Sequence, residues 1–187
     1  SPIGDSAPVL MALDATLILQ QDERIRRLAL DEFYLDYMKN ALEPGEFLRV
    51  IEVLLPAPET SLRAYKISKR SDCDISALSC GIALTLKDGL VASVRLAFGG
   101  MAATVRRARA AEAALLGEIW SETAIRAAMD ALAEDFAPLT DLRASKDYRV
   151  RVARNLLWRF WMENRPASPL LQTETRTWRS AHQEAVA

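Results

Sequence analysis

Five charges crowd into Lys66-Ile67-Ser68-Lys69-Arg70-Ser71-Asp72-Cys73-Asp74-Ile75, where one predicted strand ends and the next approaches. Such a segment can grip a charged ligand or serve as an ordinary solvated strand connection, and the spacing leaves both open. Far away in sequence, Ser1-Pro2-Ile3-Gly4-Asp5 offers one carboxylate on a Pro/Gly turn, placed to cap a helix over Pro8 to Leu13. Imidazole-assisted nucleophilic catalysis has little to work with, because the sole histidine, His182, sits in a polar tail. A metal centre fares no better: Cys73 and Cys80 lack paired C-x-x-C spacing and have no imidazole nearby. Cys80 lies in an apolar run and reads as a small core residue, whereas the negative surroundings of Cys73, between Asp72 and Asp74, blunt its reactivity.

Arginines form the other chemical feature. Arg106, Arg107 and Arg109 open one predicted helix, and Arg149, Arg151, Arg154 and Arg159 decorate another. At about 100° per residue the second set falls at about 0°, 200°, 140° and 280°, too scattered for the single stripe of a duplex-reading helix. A solvated face with ion pairs is the simpler reading, and a partner surface is the alternative. The whole chain has 24 Lys and Arg against 25 Asp and Glu, so no net field draws nucleic acid or an anionic membrane.

The elements that must position these groups follow from periodicity. Ala15 to Gln20 and Ile25 to Leu30 read as a hairpin; Asp31 to Met38 reads as a short helix capped by Asp31, carrying Phe33, Tyr34, Tyr37 and Met38. Strands are predicted over Phe47 to Leu55, Leu62 to Arg70, Ala77 to Leu86 and Leu90 to Phe98, with Asp88-Gly89 as a tight-turn signal. After Gly99-Gly100 the period becomes helical. One helix carries Val105, Ala108, Glu112 and Leu115; a second, capped by Ser121 after Gly117, carries Ile125, Met129, Leu132 and Phe136. A third spans Ser145 to Glu163 with Val150, Ala153, Leu157, Phe160 and Trp161 inward. Strands followed by helices is an α+β layout, with helices on one face of a mostly antiparallel sheet. The tail from Arg165 onward shows no periodicity and is either disordered or docked on another subunit.

With 187 residues, half of them apolar, the chain has the composition of a folded globular protein of one domain or two small ones. No 18-residue apolar run spans a membrane, and two cysteines fit a reducing compartment, so a cytoplasmic location is expected. A start at Ser1, without Met or a signal peptide, reads as the downstream part of a longer polypeptide.

Four separated motifs agree in register with one family. Ser1-Pro-Ile-Gly-Asp5, Lys66-Ile-Ser-Lys-Arg70, Asp74-Ile75-Ser76 and Phe98-Gly-Gly-Met-Ala102 resemble the downstream half of the FAD-binding region of xanthine dehydrogenase, specifically of the bacterial small subunit, over residues 1 to 163. The resemblance implies that residues 1–57 complete an FAD-binding α+β domain. Residues 58–165 would form a domain like the C-terminal one of carbon monoxide dehydrogenase flavoproteins, a three-stranded antiparallel sheet with a three-helix bundle, and 166–187 a polar tail. It further implies purine hydroxylation at a molybdenum cofactor, with electrons passing through [2Fe–2S] clusters to FAD and then to NAD. This chain would hold the FAD station only, beside a molybdenum-binding large subunit and the upstream part of its own polypeptide.

Residue by residue, the resemblance makes Asp5 an acceptor for ligand hydroxyls, Leu48 an aliphatic cover over the isoalloxazine, and Lys66 a cation near the flavin's polar edge. A cation about 4 Å from an anion at an effective dielectric near 20 stabilises it by at most about 4 kcal/mol. Tyr37, Asp74 and Ile75 match positions bordering the flavin and the nicotinamide approach. Cys73 stands where animal members carry an acidic residue, which bears on the choice between NAD and oxygen as acceptor. The glycine-rich pyrophosphate loop and the cluster cysteines are absent, so this segment alone is expected neither to hold FAD tightly nor to turn over purine. No catalytic acid or base and no metal ligand is expected. The competing reading is a non-catalytic α+β interaction domain.

Overall fold

Asp22 and Asp88-Gly89, all at positive φ, set the registers of the two main hairpins. In the computed structural model, which describes residues 3–70 and 73–175, β1 (Thr16–Gln21) and β2 (Arg24–Ala29) pair antiparallel from Thr16 opposite Ala29 to Gln21 opposite Arg24. Ser1, Pro2, Ser71, Asp72 and the tail after Thr175, with His182, lie outside the described residues. Between β2 and the next long strand come α2 (Leu30–Phe33), β3 (Tyr34–Asp36) and β4 (Lys39–Asn40); β5 (Phe47–Glu52) then returns to the free edge of β1. The strand order is β2-β1-β5.

The helix expected over Asp31 to Met38 is one turn long. Ala29, not Asp31, stands at its N-cap, and from Tyr34 the chain is extended, with Tyr34 paired to Asn40. Aromatic residues suit a half-buried strand at least as well as a helix, and Met38 at φ 55 forms the turn that a helix could not contain. The strand expected to reach Leu55 stops at Glu52.

The second sheet is β6 (Thr60–Ile67), β7 (Leu78–Lys87), β8 (Leu90–Gly99) and β9 (Arg106–Arg107), antiparallel in that order. Asp88 (φ 53) and Gly89 (φ 79) make the two-residue turn whose twist matches the flanking strands. The sheet has a fourth strand where three were expected, since Arg106-Arg107 pairs with Phe98 and Ala97 instead of opening a helix. The amide of Ala108 still bonds to Leu96 O, which delays α3 to Arg109–Ala113. α4 (Glu122–Asp135) and α5 (Lys146–Asn164) begin where expected: the hydroxyl of Ser121 accepts from Ala124 N and that of Ser145 from Tyr148 N. A short α6 (Gln172–Thr175) follows.

β7 is buried along most of its length, and its alternation divides the core in two. Leu78, Cys80, Ile82 and Leu84 face Ala128, Leu132, Leu157 and Phe160 of the helices. The opposite face receives α1 (Ser6–Ala12), whose Ala7 and Met11 join Leu17 and Leu19 of β1 and Ala97 of β8. Helices therefore cover both faces of this sheet, not one, and the α1 side fastens the first sheet to the second.

Gly81 is the contact point. A Cβ there would meet the backbone of Pro8 and lie 2.8 Å from Cα of Val9. Because backbone cannot rotate away as a side chain can, Gly81→Ala is expected to lower stability by at least about 2 kcal/mol in urea unfolding.

Candidate functional site

Lys66 occupies the last turns of β6, opposite Ser79 of β7, and its ammonium remains partly exposed. Its Nζ donates to Asp5 Oδ2 at 2.6 Å and to the carbonyl oxygen of Asp74 at 2.8 Å. Asp5 stands at the N-cap of α1 but makes no side-chain cap there; its other oxygen accepts from the buried Ser76 hydroxyl. Against the desolvation that would raise it, hydrogen bonds from Lys66 and Ser76 hold the Asp5 carboxyl below its ordinary value.

Asp74 shapes the loop beyond β6. Its Oδ2 accepts from the amides of both Lys69 and Arg70 at 3.0 Å, and these backbone bonds, Arg70's foremost, lower its pKa. The loop is thereby folded so that Asp74 presents its carbonyl to Lys66 and leaves Ile75 exposed. The strand expected to run to Arg70 ends at Ile67 for the same reason: these amides serve a carboxylate and not a sheet partner. Cys73, exposed at φ 48, lies in this loop, with its carbonyl accepting from Arg70. Cys80 is buried in the core, which pushes its thiol pKa up.

The Phe98-to-Ala102 motif acts from beneath. Gly100, at φ +84, passes so close to α5 that an added Cβ would stand 2.7 Å from both Ala77 O and Arg149 Nη1. Arg149 is therefore not part of a solvated face. It is fully buried, donating through Nη1 to Ala77 O and to Gly100 O (2.7 Å) and through Nη2 to both carboxylate oxygens of Asp141 at 2.7 Å. Of the other arginines on α5, Arg154 pairs with Asp130, and Arg159 pairs with Glu163 while lying over the ring of Tyr65. The sequence held a sign of this, since Arg149 lies on the same helical stripe as Ala153, Leu157 and Phe160. Val150, expected inward, is on the exposed side instead, and Trp161 is only partly buried.

Asp141 in turn accepts from the amides of Arg143 and Ala144, and Leu142 O accepts from Lys69 Nζ at 3.0 Å. A cleft of about 410 Å³ opens there, walled by Lys69, Asp74, Ile75, Ala77, Asp141 and Leu142. Asp5, Lys66, Asp74 and Ile75 are thus gathered at one end of the β6–β7 pair. Leu48 and Tyr37 are not part of that cluster. Leu48 lies on β5 opposite Leu19, and Tyr37 in the turn between β3 and β4; both are exposed and neither lines the cleft. Beside Leu48, the side chains of Phe47, Val50 and Ile51 are also exposed, an apolar row without cover among the described residues. Among those residues no group of acids, cysteines and histidines could hold a metal ion, and no helix is long and apolar enough to cross a membrane.

A two-faced antiparallel sheet with α4 and α5 on one face and α1 on the other, joined through α1 to a second sheet, is an α+β architecture. Family models agree: CO dehydrogenase flavoprotein C-terminal domain matches residues 63–164, and FAD binding domain in molybdopterin dehydrogenase matches residues 1–58. Xanthine dehydrogenase of Emericella nidulans is 32% identical over 165 residues, covering 86% of this chain and 12% of its own length. The medium chain of carbon monoxide dehydrogenase from Hydrogenophaga pseudoflava is 27% identical over 159 residues, 84% of this chain and 55% of that one. A solved structure of carbon monoxide dehydrogenase from the same organism superposes with a TM-score of 0.80 at 30% identity, covering 85% of this chain and 55% of that one. The chain belongs to the CO dehydrogenase flavoprotein C-terminal domain family, preceded by an FAD-binding segment of the molybdopterin dehydrogenase type. It spans about half the length of the carbon monoxide dehydrogenase chain and an eighth of the xanthine dehydrogenase.

Asp141 tests the arrangement through pH. Despite desolvation, bonds from Arg143, Ala144 and Arg149 hold its carboxyl below 3.8, so its stabilisation is complete above that value and lost as pH falls through the lower folded-state pKa. Asp141→Asn leaves the buried guanidinium without its counter-charge and is expected to cost about 2 kcal/mol near neutrality. The gap between the variant and the parent chain should stay flat above about pH 5 and close below about pH 4 in urea titrations.

Proposed function

We propose that this chain is the FAD-contacting, acceptor-side part of a molybdenum hydroxylase of the xanthine dehydrogenase type, as in the small subunit of bacterial enzymes. One observation carries the reading: a half-exposed ammonium, Lys66, is fixed between the carboxylate of Asp5 and the carbonyl of Asp74, so it joins the two family-matched segments at the surface, next to the cleft that Asp74 and Ile75 wall. The residues suit a flavin. Lys66 and Asp5 supply a donor and an acceptor for a polar ring edge and for hydroxyls, while Leu48 and Ile75 are apolar side chains left exposed, able to exclude water from a flat ring. Tyr37 and Asp74 would border the approach of the nicotinamide. Bound FAD supplies the electron chemistry, collecting electrons from [2Fe–2S] clusters and the molybdenum cofactor held elsewhere in the assembly and passing them to NAD.

The chain's own residues bind, orient and set charge; none acts as a general acid or base. Lys66 raises the potential felt by any group beside it, reduced by its pairing with Asp5 and by solvent to about 1 kcal/mol from the upper bound of about 4. Residues 1–57 would then complete the FAD-binding domain and 58–165 form the second domain, in a cytoplasmic enzyme docked on its molybdenum-binding large subunit, with a purine as the substrate oxidised.

The exposed apolar row on β5 also suits a plain docking module, and a visible spectrum separates the two readings. The native complex should release one FAD for each copy of this chain on denaturation, read from the spectrum of the released flavin; a complex that releases none would support docking alone. Lys66→Met should lower the flavin's midpoint potential by roughly 20 mV in a redox titration, and an unchanged potential would remove Lys66 from the site.

A further inference from the structure

We propose that the groove between the end of β6 and α5 binds an organic phosphate, with the anion held by Lys69 and Arg70 and its apolar body laid along α5. The groove encloses about 690 Å³, the size of a small-molecule site and several times that of an inorganic oxyanion. Four cations line it, Lys66, Lys69, Arg70 and Arg159, and no carboxylate among the described residues does.

The acids that balance these cations stand outside the lining. Lys66 is paired with Asp5 and Arg159 with Glu163, whose backs are turned to other contacts: Asp5 to Ser76, and Glu163 to Tyr65 and Thr175. Arg70 approaches Asp74 only to 3.6 Å and donates to Cys73 O through the same nitrogen, and its side chain is largely exposed, so its other guanidinium donors face the groove side and solvent. Lys69 meets a carbonyl, Leu142 O, and no carboxylate among the described residues. A guanidinium fork, held by Asp74 and the Cys73 carbonyl through one nitrogen only, beside an ammonium is suited to a phosphate's multiple oxygens.

The opposite wall differs in character. Val152 and Leu156 give an apolar surface, and Tyr148, at the first turn of α5, adds an exposed aromatic face against which a planar ring can lie. Asn155 adds an amide donor and acceptor. A bare phosphate would use the cationic end and leave this wall empty, which is why an organic body is inferred. The groove shares Lys66 and Lys69 with the cleft region described above, whereas Arg70 and Tyr148 line the groove alone, so loss of AMP binding on changing these two with FAD retained separates this proposal from the flavin reading.

Calorimetric titration of the native protein, its cofactors in place, with AMP, adenosine and inorganic phosphate is the test. AMP should bind at least ten times more tightly than either adenosine or inorganic phosphate. The double change Lys69→Gln with Arg70→Gln should weaken AMP at least tenfold, and Tyr148→Ala should weaken AMP but leave inorganic phosphate unchanged. Equal affinity for AMP and adenosine would overturn the role of the cations; equal affinity for AMP and inorganic phosphate would overturn the role of the α5 wall. Undiminished AMP binding in both variants would place the ligand elsewhere. Since all three side chains are exposed, thermal melting of the variants should match the parent, and if the double change fails to fold, Arg70→Gln alone should still weaken AMP several-fold.

Discussion

A strand packed on both faces has no slack, and β7 is such a strand. Its even-numbered residues are held by α4 and α5, its odd-numbered ones by α1, so the distance between the two halves of the molecule is fixed by the size of the side chains on one strand. Glycine at position 81 and serine at 79 are the small residues that let α1 approach. Asp5 precedes α1 directly and Lys66 ends the neighbouring strand, and their 2.6 Å contact follows from that close approach. A site assembled from residues 61 positions apart is thus set by backbone packing, and the ion pair itself need contribute little, as exposed pairs usually do.

Just before the same strand stands a carbonyl, Ala77 O, that accepts from the buried Arg149 guanidinium. Arg149 connects three pieces of chain: the residue before β7, the glycine after β8 and the loop around Asp141. Its charge would be costly in the interior without Asp141, and the geometry is bidentate, the arrangement in which Arg and carboxylate fit best. From Asp141 the connection continues through Leu142 to Lys69 and from there to Asp74. The floor and the rim of the cleft are parts of one hydrogen-bonded network.

Local signals were legible where local physics decides. The Asp88-Gly89 turn, the Ser121 cap and the start of α5 at Ser145 all lie within a few residues of their consequences. The segment from Asp31 to Met38 misled because aromatics at helical spacing also alternate well enough for a short hairpin, and only the pairing of Tyr34 with Asn40 decides between them. Arg149 lies on the inward stripe, but arginine is so rarely buried that its charge masks its phase as a sequence signal. Lys66, Asp5 and Asp74 were nameable from motifs, but that the Asp74 carboxylate serves backbone amides and its carbonyl serves the lysine belongs to loop geometry, which carries no periodic signature.

β5 closes one side of the first sheet, with its outer edge unpaired among the described residues and with Phe47, Leu48, Val50 and Ile51 uncovered. Bare strand margins of this kind act as templates for further strands, and only Arg49 and Glu52 interrupt the greasy run with charge. Handled without whatever normally shields that margin, the polypeptide would be prone to self-association as its concentration rises, and added charge along this one strand would be the economical way to keep it monodisperse.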